Sequence, residues 1–193
     1  MTKTSSRHAT QDLALISIFA AFIAVCALLP AFPLGPAGVP LTFQTLGIYI
    51  TSLVLGGRRA GLATLLYLVV GLLGLPIFAG GGAGPAVLAM PAAGYLLGFP
   101  LGAFLAGWLA YRGRRSFPQP GKAQWVSQLL AVLAGFMLIT ATGVLGMMLN
   151  AGLSLTAACL AAAIYLPGDL IKSIIAIFIS QAVHRAFPQL AEK

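Results

Sequence analysis

The chain has 193 residues, of which 60% are hydrophobic and 7% charged, and its mean hydropathy is +0.99. A soluble globular domain carries about 25% charged residues, so this composition excludes one and points to a polytopic membrane protein. The net charge of +8 does not mark a nucleic-acid binder, because Lys and Arg gather in short clusters between apolar runs and are not interleaved with aromatic residues along a face.

The apolar runs are close to the roughly 20 residues that a helix needs to cross a hydrocarbon layer. They predict helices over 13–30, 41–56, 60–78, 93–111, 125–149 and 164–184, forming one unit over 1–193. Lys3 and Arg7 precede the first run, Arg58 and Arg59 follow the second, Arg112, Arg114, Arg115 and Lys122 follow the fourth, and Arg185 and Lys193 close the chain. The connections 31–40, 79–92 and 150–167 carry no charge. The positive-inside rule therefore predicts an all-α bundle of six transmembrane helices with both termini cytoplasmic.

In chain order, the first run is followed by no small-residue cleavage site and is expected to stay as a membrane helix. Its Ser17, Ala20, Ala21 and Ala24 place small residues four apart, which permits close approach of another helix. On spacing alone the stripe is either a docking face for a partner or an internal packing face. Gly and Pro cluster at Pro30–Pro40, Gly74–Pro91 and Leu166–Gly168, all on the uncharged side. Such segments at membrane depth line cavities or sit at interfaces, so they outline an outward-facing mouth or serve as helix-capping turns.

The run Gly80 to Gly84 lacks the Lys-Ser/Thr of a phosphate-binding loop, and no such loop occurs elsewhere. Any energy from ATP is expected to come from a partner. The apolar region 151–163 is expected to form a short helix against the bundle. Cys26 and Cys159 lie in apolar surroundings without metal-like spacing, and neither His8 nor His184 has a ligating neighbour. No metal, cofactor or catalytic constellation is therefore expected.

Two charged residues remain near a membrane segment. Asp169 and Lys172 stand three apart at the start of the last run, on one helix face. An ionisable group there costs a few kcal/mol or more unless it meets a cavity or a partner. One reading is a helix start with a snorkelling lysine. The other is a site for a small anionic ligand that also carries N–H donors, with the ammonium on its carboxylate and the Asp carboxylate on its N–H groups. Thr42, Gln44, Tyr67, Tyr95 and Asn150 are the other polar groups that could face the same outer cavity.

The chain resembles the BioY family, the biotin-binding S components of energy-coupling factor (ECF) transporters. The resemblance runs from about residue 13 to 185 and is carried by Val39–Thr45, Gly56–Gly61, Tyr67–Phe78, Gly94–Phe99 and Leu166–Lys172. It implies six helices in a bacterial inner membrane, with cytoplasmic termini and a biotin pocket near the outer surface to which Asp169 and Lys172 contribute; Tyr95 and Gln44, singled out above on their polarity and position, are expected among the contacts. It also implies a lid over the ligand at Ala79–Pro91, where Gly80 and Gly81 would approach the substrate. Ala20 and Ala24 would contact a transmembrane T component, itself driven by two ATPase subunits. No other partner than these, biotin and the membrane lipid is expected, nucleic acid included. Two departures stand out: Met90-Pro-Ala-Ala-Gly-Tyr95 replaces the usual Gly-Pro-Thr-Gly-Gly-Tyr, and Ala79-Gly80-Gly81 follows Phe78 where an Asn is usual. The alternatives are a solitary biotin transporter, an S component for another vitamin, or a ligand-free scaffold.

Overall fold

The computed structural model describes residues 3–33, 39–119 and 121–190. The side chains of Lys3 and Arg7, the middle of the Pro30–Pro40 cluster, and Lys193 lie outside the described residues. Among the described residues seven α-helices follow in order: α1 (Lys3–Leu28), α2 (Gln44–Leu55), α3 (Gly57–Leu72), α4 (Ala93–Ser116), α5 (Lys122–Ala151), α6 (Leu155–Ala163) and α7 (Leu166–Ala186). A ribbon of two-residue strands, β1 (Phe32–Pro33) and β2 (Pro40–Leu41), joins α1 to α2 and pairs antiparallel with Phe32 opposite Leu41. Among the described residues four stretches are long and apolar enough to cross a membrane: Ala9–Leu28 and the whole of α4, α5 and α7. The protein is an all-α, multi-pass membrane fold.

The second and third helices differ from expectation in length. The expected break between 56 and 60 is a single residue, Gly56, at φ +76°. Helical bonding resumes at once, with the Ala60 N–H donating to the Gly56 carbonyl at 3.0 Å. Arg58 and Arg59 therefore belong to the first turn of α3, where their long side chains leave the helix without interrupting it. At its other end α3 stops at Leu72, short of Phe78. Gly74 turns the chain at φ +111°, and Pro76 disfavours helix at Leu75.

Helix α2 is apolar almost all round because it sits inside the bundle, against α1, α3, α4, α5 and α7. Two of its polar side chains are satisfied locally: Thr51 Oγ1 donates to the Gly47 carbonyl and Ser52 Oγ to the Ile48 carbonyl, both at 2.7 Å. That economy is what an interior facing hydrocarbon demands.

Helices α4 and α5 meet along a line of glycines. A Cβ on Gly94 would stand 2.0 Å from the Thr142 carbonyl oxygen, and one on Gly98 would stand 1.9 Å from Thr142 Oγ1. From the other side, a Cβ on Gly135 would stand 2.6 Å from the Gly102 carbonyl oxygen. Lipid offers no hydrophobic drive for helices to associate, so close packing of small residues is what holds them.

A Gly98→Leu change must push the two helices apart and is expected to lower stability by about 3 kcal/mol or more. Gly82→Ala, at an ordinary backbone angle and in ordinary contact, is expected to stay within about 0.5 kcal/mol. Thermal unfolding of the two variants in detergent checks this contrast.

Candidate ligand-binding site

The site begins where α2 faces α7. Pro167 starts α7 with no N–H to lose, and the first turns carry Asp169 and Lys172 on one face. Both are buried, at 5% and 8% exposure, so the lysine does not reach out to headgroups. Lys172 Nζ donates to Asp169 Oδ1 at 3.3 Å and to Thr45 Oγ1 at 3.0 Å. Thr45 Oγ1 donates to the same Asp169 Oδ1 at 2.8 Å, and the Tyr49 hydroxyl donates to it at 3.2 Å. Thr45 and Tyr49, four apart on α2, thus complete a network that only one carboxylate oxygen serves. Asp169 Oδ2 receives no hydrogen bond from the described residues.

This network lies on the wall of a cavity of about 410 Å³, within the range typical of small-molecule sites. Phe78, Leu96, Phe99, Phe136 and Ile139 form its apolar walls. The Tyr95 hydroxyl and Thr140 Oγ1 belong to lining residues and are buried without a hydrogen-bond partner among the described residues. Tyr95 fits because position 143 is glycine: a Cβ there would stand 2.3 Å from its ring.

The segment from Phe78 to Pro91 covers one side. It forms two short 3-10 turns, Ala79–Gly81 and Pro85–Ala89, and Phe78 and Val87 are its buried anchors. Phe78 packs edge-on against Tyr67, with ring centroids 5.4 Å apart, in a space that exists because Gly71 has no side chain. Gly80 and Gly81 adopt φ +70° and +79°, left-handed angles that favour glycine. Asn150 Nδ2 lies 2.8 Å and 2.9 Å from the Leu88 and Met90 carbonyls and fastens the segment to the end of α5.

The structure brings Asp169, Lys172, Gln44, Thr42, Tyr95 and Gly80 to this cavity. Gly81 adjoins it without lining it. Gln44 also donates to the Tyr67 hydroxyl at 2.9 Å, which places Tyr67 behind the wall, and Asn150 holds the covering segment instead of facing the cavity. Thr45, Tyr49 and Thr140 were not among the expected contacts. On α1, Ala20 is turned into the bundle at 7% exposure and Ala24 is half-buried against it, whereas Ser17 and Ala21 are exposed.

The BioY family profile matches residues 1–189. A biotin transporter of Rhizobium etli is 39% identical over 182 residues, covering 94% of this chain and 97% of its own. One from Rhodobacter capsulatus is 36% identical over 187 residues, covering 92% and 95%. The chain belongs to the BioY family. Among solved structures, the S component for biotin from an ECF-type ABC transporter superposes with a TM-score of 0.84 at 25% identity, covering 96% of this chain and 95% of that one. As a member of this family the protein is a multi-pass protein of the bacterial inner membrane.

Removing one partner of the buried pair leaves the other uncompensated. Asp169→Ala is expected to destabilise this family member by about 3 kcal/mol, and Lys172→Met in the same chain to recover most of the loss. Chemical denaturation of the single and double variants in detergent measures both steps.

Proposed function

We propose that this chain captures biotin from outside and carries it through the inner membrane as the S component of an ECF transporter. The observation that carries this reading is the buried carboxylate–ammonium pair on the wall of the cavity, in a chain with close relatives that are biotin transporters. Biotin presents an apolar bicyclic ring system, a ureido group with two N–H donors and a carbonyl acceptor, and a valerate carboxylate. The aromatic and aliphatic walls suit the rings.

The pair's geometry revises one expectation. Asp169 and Lys172 were to hold opposite ends of the ligand, yet their charged atoms are 3.3 Å apart. With bonds of about 1.5 Å, the ureido and carboxylate ends of biotin are separated by roughly 9 Å. In this reading both side chains therefore meet one end. The ureido group fits: Asp169 Oδ2 accepts its N–H, and Lys172 donates to its carbonyl. The valerate carboxylate would be repelled by Asp169 and is turned toward the covering segment.

The fold supports six crossings with cytoplasmic termini, α6 lying against the outer end. Tyr111 near the end of α4 lies 2.7 Å from the carbonyls of Val54 and Leu190, and Arg59 pairs with Asp12. The basic turns of α3, α4 and α7 thus share one end of the bundle, which the positive-inside rule assigns to the cytoplasm. We place the T-component contact on α1, where Ala21 and Ser17 face outward beside Ala24 while Ala20 packs the bundle behind them. The T component and two ATPases would supply the energy.

Biotin is expected to raise the unfolding temperature of the purified chain, as any ligand of the folded state must. Lys172→Ala should weaken binding about tenfold to a hundredfold. An equal loss for biotin and its methyl ester supports the ureido assignment; a loss confined to free biotin places the valerate on Lys172. No shift with biotin removes the proposal.

With Cys26 and Cys159 replaced by Ala, a cysteine at Ser116 should be labelled by an impermeant maleimide only from the cytoplasmic face, and one at Gly152 only from outside. The reverse pattern, or both on one side, overturns the topology.

A further inference from the structure

A second cavity, of about 560 Å³, lies at the other end of the bundle from the Asp169–Lys172 pair. Arg58 and Arg59 enter it from the first turn of α3, and Arg112 and Arg115 enter it from the end of α4. Two close approaches force these arginines together. A Cβ on Gly57 would stand 2.8 Å from the Phe104 carbonyl oxygen, and one on Gly107 would stand 2.6 Å from the Gly56 carbonyl carbon.

Compensation is incomplete. Among the described residues Asp12 is the one carboxylate of the lining and pairs with Arg59, so among them four guanidinium groups face a single negative charge. Among the described residues Arg58, Arg112 and Arg115 have no acidic partner. The Arg112 guanidinium instead lies 4.5 Å over the Trp108 ring, a contact that holds the cation in place without neutralising it.

The cavity also opens onto the lipid-facing surface. Gly61 packs against Phe104 and Pro100, and the side chains beside this seam, Leu62 and Leu65 on α3 and Leu97, Leu101, Phe104 and Trp108 on α4, are exposed. A free inorganic anion would use the arginines alone. A molecule with a phosphate at one end and hydrocarbon at the other would use both. Basic pockets between membrane helices on the cytoplasmic side are suited to anionic headgroups.

We propose that this cavity holds the phosphate headgroup of an anionic phospholipid, with its acyl chains lying along the exposed α3–α4 seam. The site is separate from the ligand cavity and does not depend on which vitamin that cavity takes. Native mass spectrometry of the full chain in detergent, titrated with phosphatidylglycerol or with phosphatidylcholine of the same acyl chains, tests it.

Phosphatidylglycerol is expected to bind at least about tenfold tighter. Arg58→Gln should reduce that affinity about fivefold and the double variant Arg112→Gln, Arg115→Gln roughly twenty-five-fold. Arg185→Gln, outside the cavity, should leave it unchanged, and unaltered far-ultraviolet circular dichroism would show each variant folded. Equal affinity for the two lipids, or undiminished preference in both cavity variants, overturns the proposal. Displacement of the lipid by millimolar inorganic phosphate or glycerol 3-phosphate assigns the cavity to a soluble phosphate instead. Loss of assembly with partner subunits while lipid binding persists makes it a protein interface, which also overturns the proposal.

Discussion

A carboxylate and an ammonium buried side by side in an apolar helix bundle set the terms for everything around them. Each charge out of water costs several kcal/mol, and their mutual attraction offsets this only with further hydrogen bonds in place. Thr45 and Tyr49 supply those bonds from α2, so α2 must lie against α7 with one particular rotation. A well-packed pair of apolar residues would be at least as stable in the same place. The surplus hydrogen-bonding capacity, an unused carboxylate oxygen and an ammonium with two of three protons committed, is intelligible only beside a cavity that brings its own polar partner.

The opposite wall has a different physical origin. Helices α4 and α5 approach through glycines that leave no room for a Cβ, and this closeness brings Tyr95 over Gly143 into the cavity. Rigid walls built this way contrast with the covering segment, which is anchored by Phe78 and Val87 and fastened by Asn150. Few buried side chains and several left-handed glycines make it the part of the site that can open at least energetic cost. Ala79, Gly80 and Gly81 place no polar side chain there. Backbone groups and the unpartnered hydroxyls of Tyr95 and Thr140 are what remain on that side.

Hydropathy and charge made the long helices legible, since nothing but lipid explains runs such as 125–149. The i, i+3 spacing of Asp169 and Lys172 made the centre of the site legible for the same reason: a charge in such a run demands a cause. The α2–α3 joint was misplaced because two arginines read as a loop, although a helix accommodates them in its first turn. Thr45, Tyr49 and Thr140 stayed hidden because a hydroxyl in a membrane helix ordinarily bonds its own backbone, as Thr51 and Ser52 do, and only the facing helix reveals which ones do not. The glycines at 94, 98 and 102 form a four-residue repeat, but the repeat alone does not name their partners on α5. Ala20 and Ala21 are adjacent in sequence, and which of the two faces outward is decided by the bundle that α1 joins.

The two ends of the molecule use charge in opposite ways. At the ligand-cavity end a single cation is buried, paired and held beside one carboxylate, so its field is short-ranged and directional. At the basic end Arg58, Arg112 and Arg115 are exposed and have no acidic partner among the described residues, and their field extends over about a Debye length of some 8–10 Å into the surrounding solution. The first arrangement recognises the shape and hydrogen-bonding pattern of a small molecule. The second senses the sign of whatever surface lies beside it. Helix α2 links them: twelve residues at about 1.5 Å each separate Gln44, beside the ion pair, from the Gly56 turn beside the arginines. Its ends are fixed by Thr45 and Tyr49 against α7 and by the Gly56–Gly107 approach against α4. A tilt of the bundle in the membrane therefore has to carry both ends together, and an orientation held at the basic end is also an orientation of the ligand cavity.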